Sequence, residues 1–111
     1  SRIAIDTTRV PAASAPLLGE IQSSFGVVPN MFKAVAHSPA ALAMMWAGFG
    51  ALGQGRIGAA LGEQIAVAVA NRNRCHYCLA AHTALGRKAG VSTEALARAQ
   101  RGQSDDARTQ A

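Results

Sequence analysis

Both cysteines of the 111-residue chain lie in the segment Cys75-His76-Tyr77-Cys78-Leu79-Ala80-Ala81-His82, three residues apart, with a histidine four residues after the second. On an α-helix turning about 100° per residue, positions 75, 78 and 82 fall within roughly 60° of arc, so two sulfurs and one imidazole share a face. Cα atoms three apart on a helix are about 5 Å from each other, inside the window of about 4.4–6.8 Å that a disulfide tolerates. The spacing is that of a redox dithiol with its own base, free to close and to open.

A thiol becomes a nucleophile by losing its proton, and an ordinary cysteine, with a pKa near ~8.5, keeps most of it at neutral pH. Three local features favour the thiolate. Asn71-Arg72-Asn73-Arg74 breaks the apolar run before it, which places Cys75 where a new helix begins and unpaired amides attract negative charge. Arg72 and Arg74 add cations. His82 stands at i+4 from Cys78 and can accept its proton. Two other readings of the cysteines stay open: a pair of buried core residues, or half of a zinc site supplemented by His82, His76 or Glu63. The chain has no second cysteine pair, and His37, the remaining histidine, is far upstream. Covalent haem attachment needs a histidine directly after the second cysteine, where this chain has Leu79.

Glu63 is the one charged side chain between Ile57 and Ala70, a stretch otherwise built of small and aliphatic residues, with Gln64 the other polar side chain. By itself it reads as a residue at a solvent edge or one held by a proton partner. The order Glu63, Cys75-x-x-Cys78, His82 resembles the alkylhydroperoxidase D (AhpD-like) family of the carboxymuconolactone decarboxylase superfamily. Val28-Pro29-Asn30-Met31-Phe32 with Ala36-His37-Ser38-Pro39 is similar to its peroxidase-related branch, so the likeness covers most of residues 17–102. The resemblance implies a proton relay in which Cys78 passes through sulfenic acid, Cys75 resolves it as a disulfide, and His82 and Glu63 carry the protons. It also implies an external dithiol reductant, with a lipoyl-bearing adaptor as the suggested donor. Better-characterised members have a second histidine directly before the second cysteine. This chain has Tyr77 there, and its extra histidine, His76, points away from the sulfur face. His76 is read as exposed, and Tyr77 as a packing residue or a hydroxyl donor near the site.

The elements that position these groups are expected to be helices. Half of the residues are hydrophobic and 15% are charged, far from the disordered regime; aromatics are few and alanine is abundant. The expected architecture is all-α, an AhpD-like bundle of about five to six helices forming one small domain over residues 1–111. A chain this short and this apolar is expected to complete its core as a homo-oligomer, a trimer or hexamer. Leu17, Leu18, Ile21 and Phe25 recur at helical spacing before Gly26, predicting a helix over 15–25 capped by Ser14. Asn30 is expected to cap a short helix over 31–37. Ser38 and Pro39 then start an apolar helix reaching about Gln54. A third long helix carries Leu61, Ile65 and Val69 on one stripe and Glu63 on another. The dithiol helix runs from Cys75 to about Ala89 and ends at Gly90 in a left-handed cap; Ser92 and Glu94 open another that reaches about Arg101. Ser104-Asp105-Asp106 looks like one more helix start, five residues before the last residue, which reads as a truncated form of a longer protein or a tail ordered by a partner.

Several function classes are set aside. The eleven basic residues, against six acidic, are scattered along the chain and give a formal charge of +5, with no basic helix interleaved with aromatics, so neither nucleic acid nor a membrane surface is an expected partner. Residues 34–55 lack charge, but Ser38-Pro39, Gln54 and four glycines leave the apolar run short of a span of about 20 residues. Gly48-x-Gly50-x-x-Gly53 formally matches a dinucleotide fingerprint without the strand that motif requires. No secretory signal is visible, and a reactive cysteine pair suits a reducing cytoplasm. The expected activity is therefore thiol-dependent reduction of small peroxides, with no bound metal or cofactor. An acid–base enzyme of the carboxymuconolactone decarboxylase type and a metal-stabilised or oligomeric interaction module are the alternatives.

Overall fold

The computed structural model describes residues 2–110. Among them there is no strand, and seven α-helices follow two short 3-10 turns: α1 Ala15–Phe25, α2 Asn30–Val35, α3 Pro39–Gly53, α4 Gly58–Arg72, α5 His76–Lys88, α6 Thr93–Gln100 and α7 Ala107–Gln110. The protein is all-α. It divides into two compact units, one through Leu52 and one from Gly53 onward.

The first unit packs around Ile21, Phe32, Ala36 and Leu42, all fully buried. Phe32 is the hub of an aromatic cluster, with ring centroids 6.1 Å from Phe25, 5.8 Å from Trp46 and 5.6 Å from Phe49. The Trp46 indole N–H donates to Glu20 Oε2 at 2.9 Å, which gives the polar end of that ring its partner. Helix α1 ends at Gly26 (φ 77°), as its sequence pattern predicts. Two expected caps work differently. Ser14 already has helical dihedrals at the end of the 3-10 turn Ala12–Ser14, and its side chain makes no cap bond; instead its buried hydroxyl donates to the Ala36 carbonyl at 2.6 Å, tying the entry of α1 to the end of α2. Asn30 is the first residue of α2, and Pro29 occupies the cap position without a side-chain bond. Ser38 does cap α3, accepting from the Ala41 N–H at 3.3 Å. Helix α3 is apolar all round, and leaves Met44 (72%) and Leu52 (76%) exposed. No helix among the described residues is long and apolar enough to cross a membrane.

The second unit is built on α4, against which α5 and α6 pack, with Val67, Leu96 and Ala99 buried and Leu79 and Val91 beside them. Its turns share one geometry. At the end of α5 the Val91 N–H reaches the Gly86 carbonyl and the Gly90 N–H reaches Arg87, with Gly90 left-handed at φ 86°; at the end of α6 Gln103 reaches Arg98 and Gly102 reaches Ala99, with Gly102 at φ 68°. These are Schellman terminations, which satisfy the last helical carbonyls in the space of two residues. The end of α4 repeats the pattern: Cys75 N–H bonds to the Ala70 carbonyl and Arg74 N–H to Asn71, but the left-handed residue is Arg74, at φ 54°. Ser92 caps α6 by accepting from the Ala95 N–H at 3.1 Å. The helix start expected after Ser104 is α7, whose Thr109 N–H donates to Asp106 Oδ2 at 2.7 Å. The Thr109 hydroxyl, which also donates to Oδ2, holds the Asp106 carboxyl below the usual aspartate range, with that backbone bond as the second cause.

Candidate functional site

Cys75 and Cys78 are joined by a disulfide, with Cα atoms 5.3 Å apart. The local geometry differs from a continuous helix in one respect. Cys75 is the cap residue of α5, extended at φ −88° and ψ 92°, and helical dihedrals begin at His76. The cause is the Schellman turn before it, which commits the Cys75 N–H to α4 and swings the backbone out of the helix. Its Sγ consequently faces the first turn of α5 and accepts from the Cys78 N–H at 3.2 Å. A sulfur in that position meets the positive end of the helix, which favours a thiolate when the bond is open. Arg74 adds a full charge on the adjacent residue.

His82 lies one turn beyond Cys78 on α5. Its Nδ1 is 2.8 Å from Oε2 of Glu63 on α4, with the two side chains 31% and 22% exposed. An ionised carboxylate only accepts, so this contact puts the hydrogen on Nδ1 and leaves Nε2 as the basic nitrogen. The solvent-edge reading of Glu63 gives way to a carboxylate held by a proton partner. Gly86 of α5 faces Leu96 of α6, with Glu63 of α4 at ordinary contact distance. A Cβ built on Gly86 would lie 2.7 Å from Leu96 Cδ2 and 3.5 Å from Glu63 Cβ. Leu96 is 2% exposed and has nowhere to retreat. Gly86→Ala is expected to destabilise the protein by about 1–3 kcal/mol through overpacking, measured as a lower urea midpoint, even though alanine is the better helix former.

Of the groups singled out in the sequence, the structure thus joins Cys75 to Cys78 and Glu63 to His82, and places both pairs on α4, α5 and the turn between them. His76 is exposed, in keeping with its reading. Tyr77 is 57% exposed and its hydroxyl has no hydrogen-bond partner among the described residues, so it is not a packing residue: position 77 faces outward at the first turn of α5. His37 is tied to the N-terminal segment of the first unit by a 2.8 Å contact with the Ala4 carbonyl. Among the described residues no group of three or more His, Cys, Asp or Glu side chains is placed to hold a metal ion. Two features escaped the sequence reading, the Cys75 sulfur acting as a helix cap and the left-handed Arg74. Gly86 was not singled out in the sequence either; an isolated glycine inside a helical pattern carries a helix-propensity cost, and that cost was the signal available.

The model of the carboxymuconolactone decarboxylase family matches residues 39–111, well over half of the chain. The chain belongs to the carboxymuconolactone decarboxylase family. No curated protein and no solved structure matches it. The stretch shared with the carboxymuconolactone decarboxylase family contains Glu63, Cys75, Cys78 and His82, whereas Val28-Pro29-Asn30-Met31-Phe32 lies upstream of it.

Proposed function

We propose that this member of the carboxymuconolactone decarboxylase family is a thiol-dependent peroxidase of the AhpD-like kind. The observation that supports it most is the Glu63–His82 contact one helical turn from a closed Cys75–Cys78 bridge. In the reduced protein, His82 takes the Cys78 proton and the thiolate attacks a peroxide oxygen; the O–O bond breaks, Cys78 becomes a sulfenic acid and an alcohol or water leaves. The Cys75 thiolate then attacks the Cys78 sulfur, closing the disulfide and expelling the oxygen as water. An external dithiol returns both sulfurs to the thiol state by exchange. A lipoyl-bearing adaptor is the donor that the resemblance suggests, and self-association into a trimer or hexamer would cover the exposed apolar residues of α3.

The test is a stoichiometry. Reduced protein given one equivalent of hydrogen peroxide or an alkyl hydroperoxide is expected to lose both thiols per chain and to form one intramolecular disulfide, read by thiol titration and intact mass. A chain that keeps its thiols, or loses one only, sinks the proposal. The family description favours one rival, acid–base chemistry by Glu63 and His82 alone; activity toward a lactone acid that survives replacement of both cysteines would select it.

A further inference from the structure

A cleft of about 170 Å³ opens beside the disulfide, lined by Ala70, Asn71, Arg74, Cys75, His76 and Leu79. Cys75 lines it, and neither Cys78 nor His82 does. At ~30 Å³ per water molecule it has room for about five or six waters, the size of a small thiol with a polar head. No acidic residue lines it, and the Arg74 guanidinium has no carboxylate or carbonyl partner among the described residues. The Asn71 side-chain amide, by contrast, is already committed to the Gln100 carbonyl at 2.7 Å.

Arg74 also sits where arginine is locally disfavoured. The three Schellman turns of this unit need one left-handed residue each; two use glycine, and the one beside Cys75 uses an arginine at φ 54°. A side chain kept at such a position against its backbone preference invites a functional explanation.

We propose that this cleft admits the electron donor, that the donor is an anionic thiol recognised by Arg74, and that it attacks Cys75 rather than Cys78. The inference rests on the peroxidase reading for its place in a cycle. The donor thiolate forms a bond to Cys75 Sγ, the Cys75–Cys78 bond breaks, and its electron pair leaves on Cys78 Sγ, which takes, by way of His82 Nε2, the proton that the donor thiol released on ionising. A second thiolate, the donor's own where the donor is a dithiol, then attacks the donor sulfur of the mixed disulfide, releasing Cys75 as thiolate and the donor as its disulfide. Peroxide thus meets Cys78 on the His82 side, and reductant meets Cys75 on the Arg74 side.

The experiment reduces the disulfide of the full chain with three thiols of similar size, 3-mercaptopropionate, 2-mercaptoethanol and cysteamine, at matched thiolate concentrations. Each rate in Arg74→Asn and Arg74→Lys proteins is divided into the parent's rate, so that intrinsic thiol reactivity cancels. Asparagine tolerates the left-handed conformation, which keeps the turn intact. An exposed ion pair is worth up to about a five-fold effect. Arg74→Asn is therefore expected to slow the anionic thiol by about five-fold relative to the neutral one and to speed the cationic thiol, while Arg74→Lys retains the parent ranking. Raised salt should compress the parent's differences toward those of Arg74→Asn. Acid quenching early in the reduction of the parent disulfide by 3-mercaptopropionate should trap the mixed disulfide on Cys75 and not on Cys78, located by peptide mass. An unchanged ranking in Arg74→Asn, or a mixed disulfide trapped on Cys78, overturns the proposal. None of these readouts uses peroxide, so they stand or fall separately from the peroxidase reading.

Discussion

A Cys78→Ser protein is expected to consume hydroperoxide no faster than buffer does, because the serine hydroxyl lacks the two-electron chemistry that carries sulfur from thiolate to sulfenic acid. Cys75→Ser is expected to behave differently. Cys78 should still be oxidised once, at close to the parent rate, and the sulfenic acid should persist because the sulfur that would capture it is gone; a dimedone adduct of one mass increment on Cys78 would show it. The contrast assigns attack to one sulfur and resolution to the other. The structure makes the assignment worth testing, since the two sulfurs sit in different surroundings: Cys75 accepts the Cys78 N–H at the start of α5, whereas Cys78 is one turn from the imidazole that Glu63 holds. If Cys75→Ser rather than Cys78→Ser abolishes peroxide consumption, the order of the two steps is reversed and the helix-start sulfur is the nucleophile.

His82→Asn is expected to slow the peroxide step by about 10²–10⁴-fold, the usual contribution of a positioned general base. Glu63 touches the imidazole and not the sulfur, so it acts by positioning. Glu63→Gln keeps the shape but its amide can donate to Nδ1, which permits the wrong tautomer; a loss smaller than that of His82→Asn is expected, with no further loss in the double variant. The measurement is the single-turnover rate of thiol loss at several peroxide concentrations. A loss confined to the maximal rate, with half-saturation unmoved, is the mark of proton transfer. Parent-like rates in His82→Asn, in a protein that still needs Cys78, would remove the imidazole from the chemistry.

What could be read directly from the amino-acid order is what depends on neighbours along the chain. Apolar spacing at Leu17, Leu18, Ile21 and Phe25, with Gly26 after it, specifies α1 at its observed ends, and Ser38-Pro39 and Ser92 start their helices because a hydroxyl two or three residues ahead of a free amide is a local matter. The Cys75-x-x-Cys78 spacing permits a disulfide for the same reason, and the i+4 relation of Cys78 to His82 follows from helix pitch alone. The all-helical class was equally legible, from alanine content and periodicity.

The rest needed the chain to fold back on itself. Glu63 is 19 residues from His82 in sequence, and nothing local distinguishes a carboxylate at a solvent edge from one 2.8 Å from an imidazole; the packing of α5 against α4 decides between them. Ser14 looks like a helix cap, but burial makes its hydroxyl answer to the nearest unpaired acceptor, the Ala36 carbonyl 22 residues away. Cys75 reads as the first residue of a helix, yet the termination of α4 claims its amide and turns its sulfur into the cap of α5. Spacing along the chain specifies which groups are able to meet, because backbone geometry repeats every turn; which of them do meet is set by packing between helices, where each buried polar atom takes the partner that the tertiary fold brings within reach.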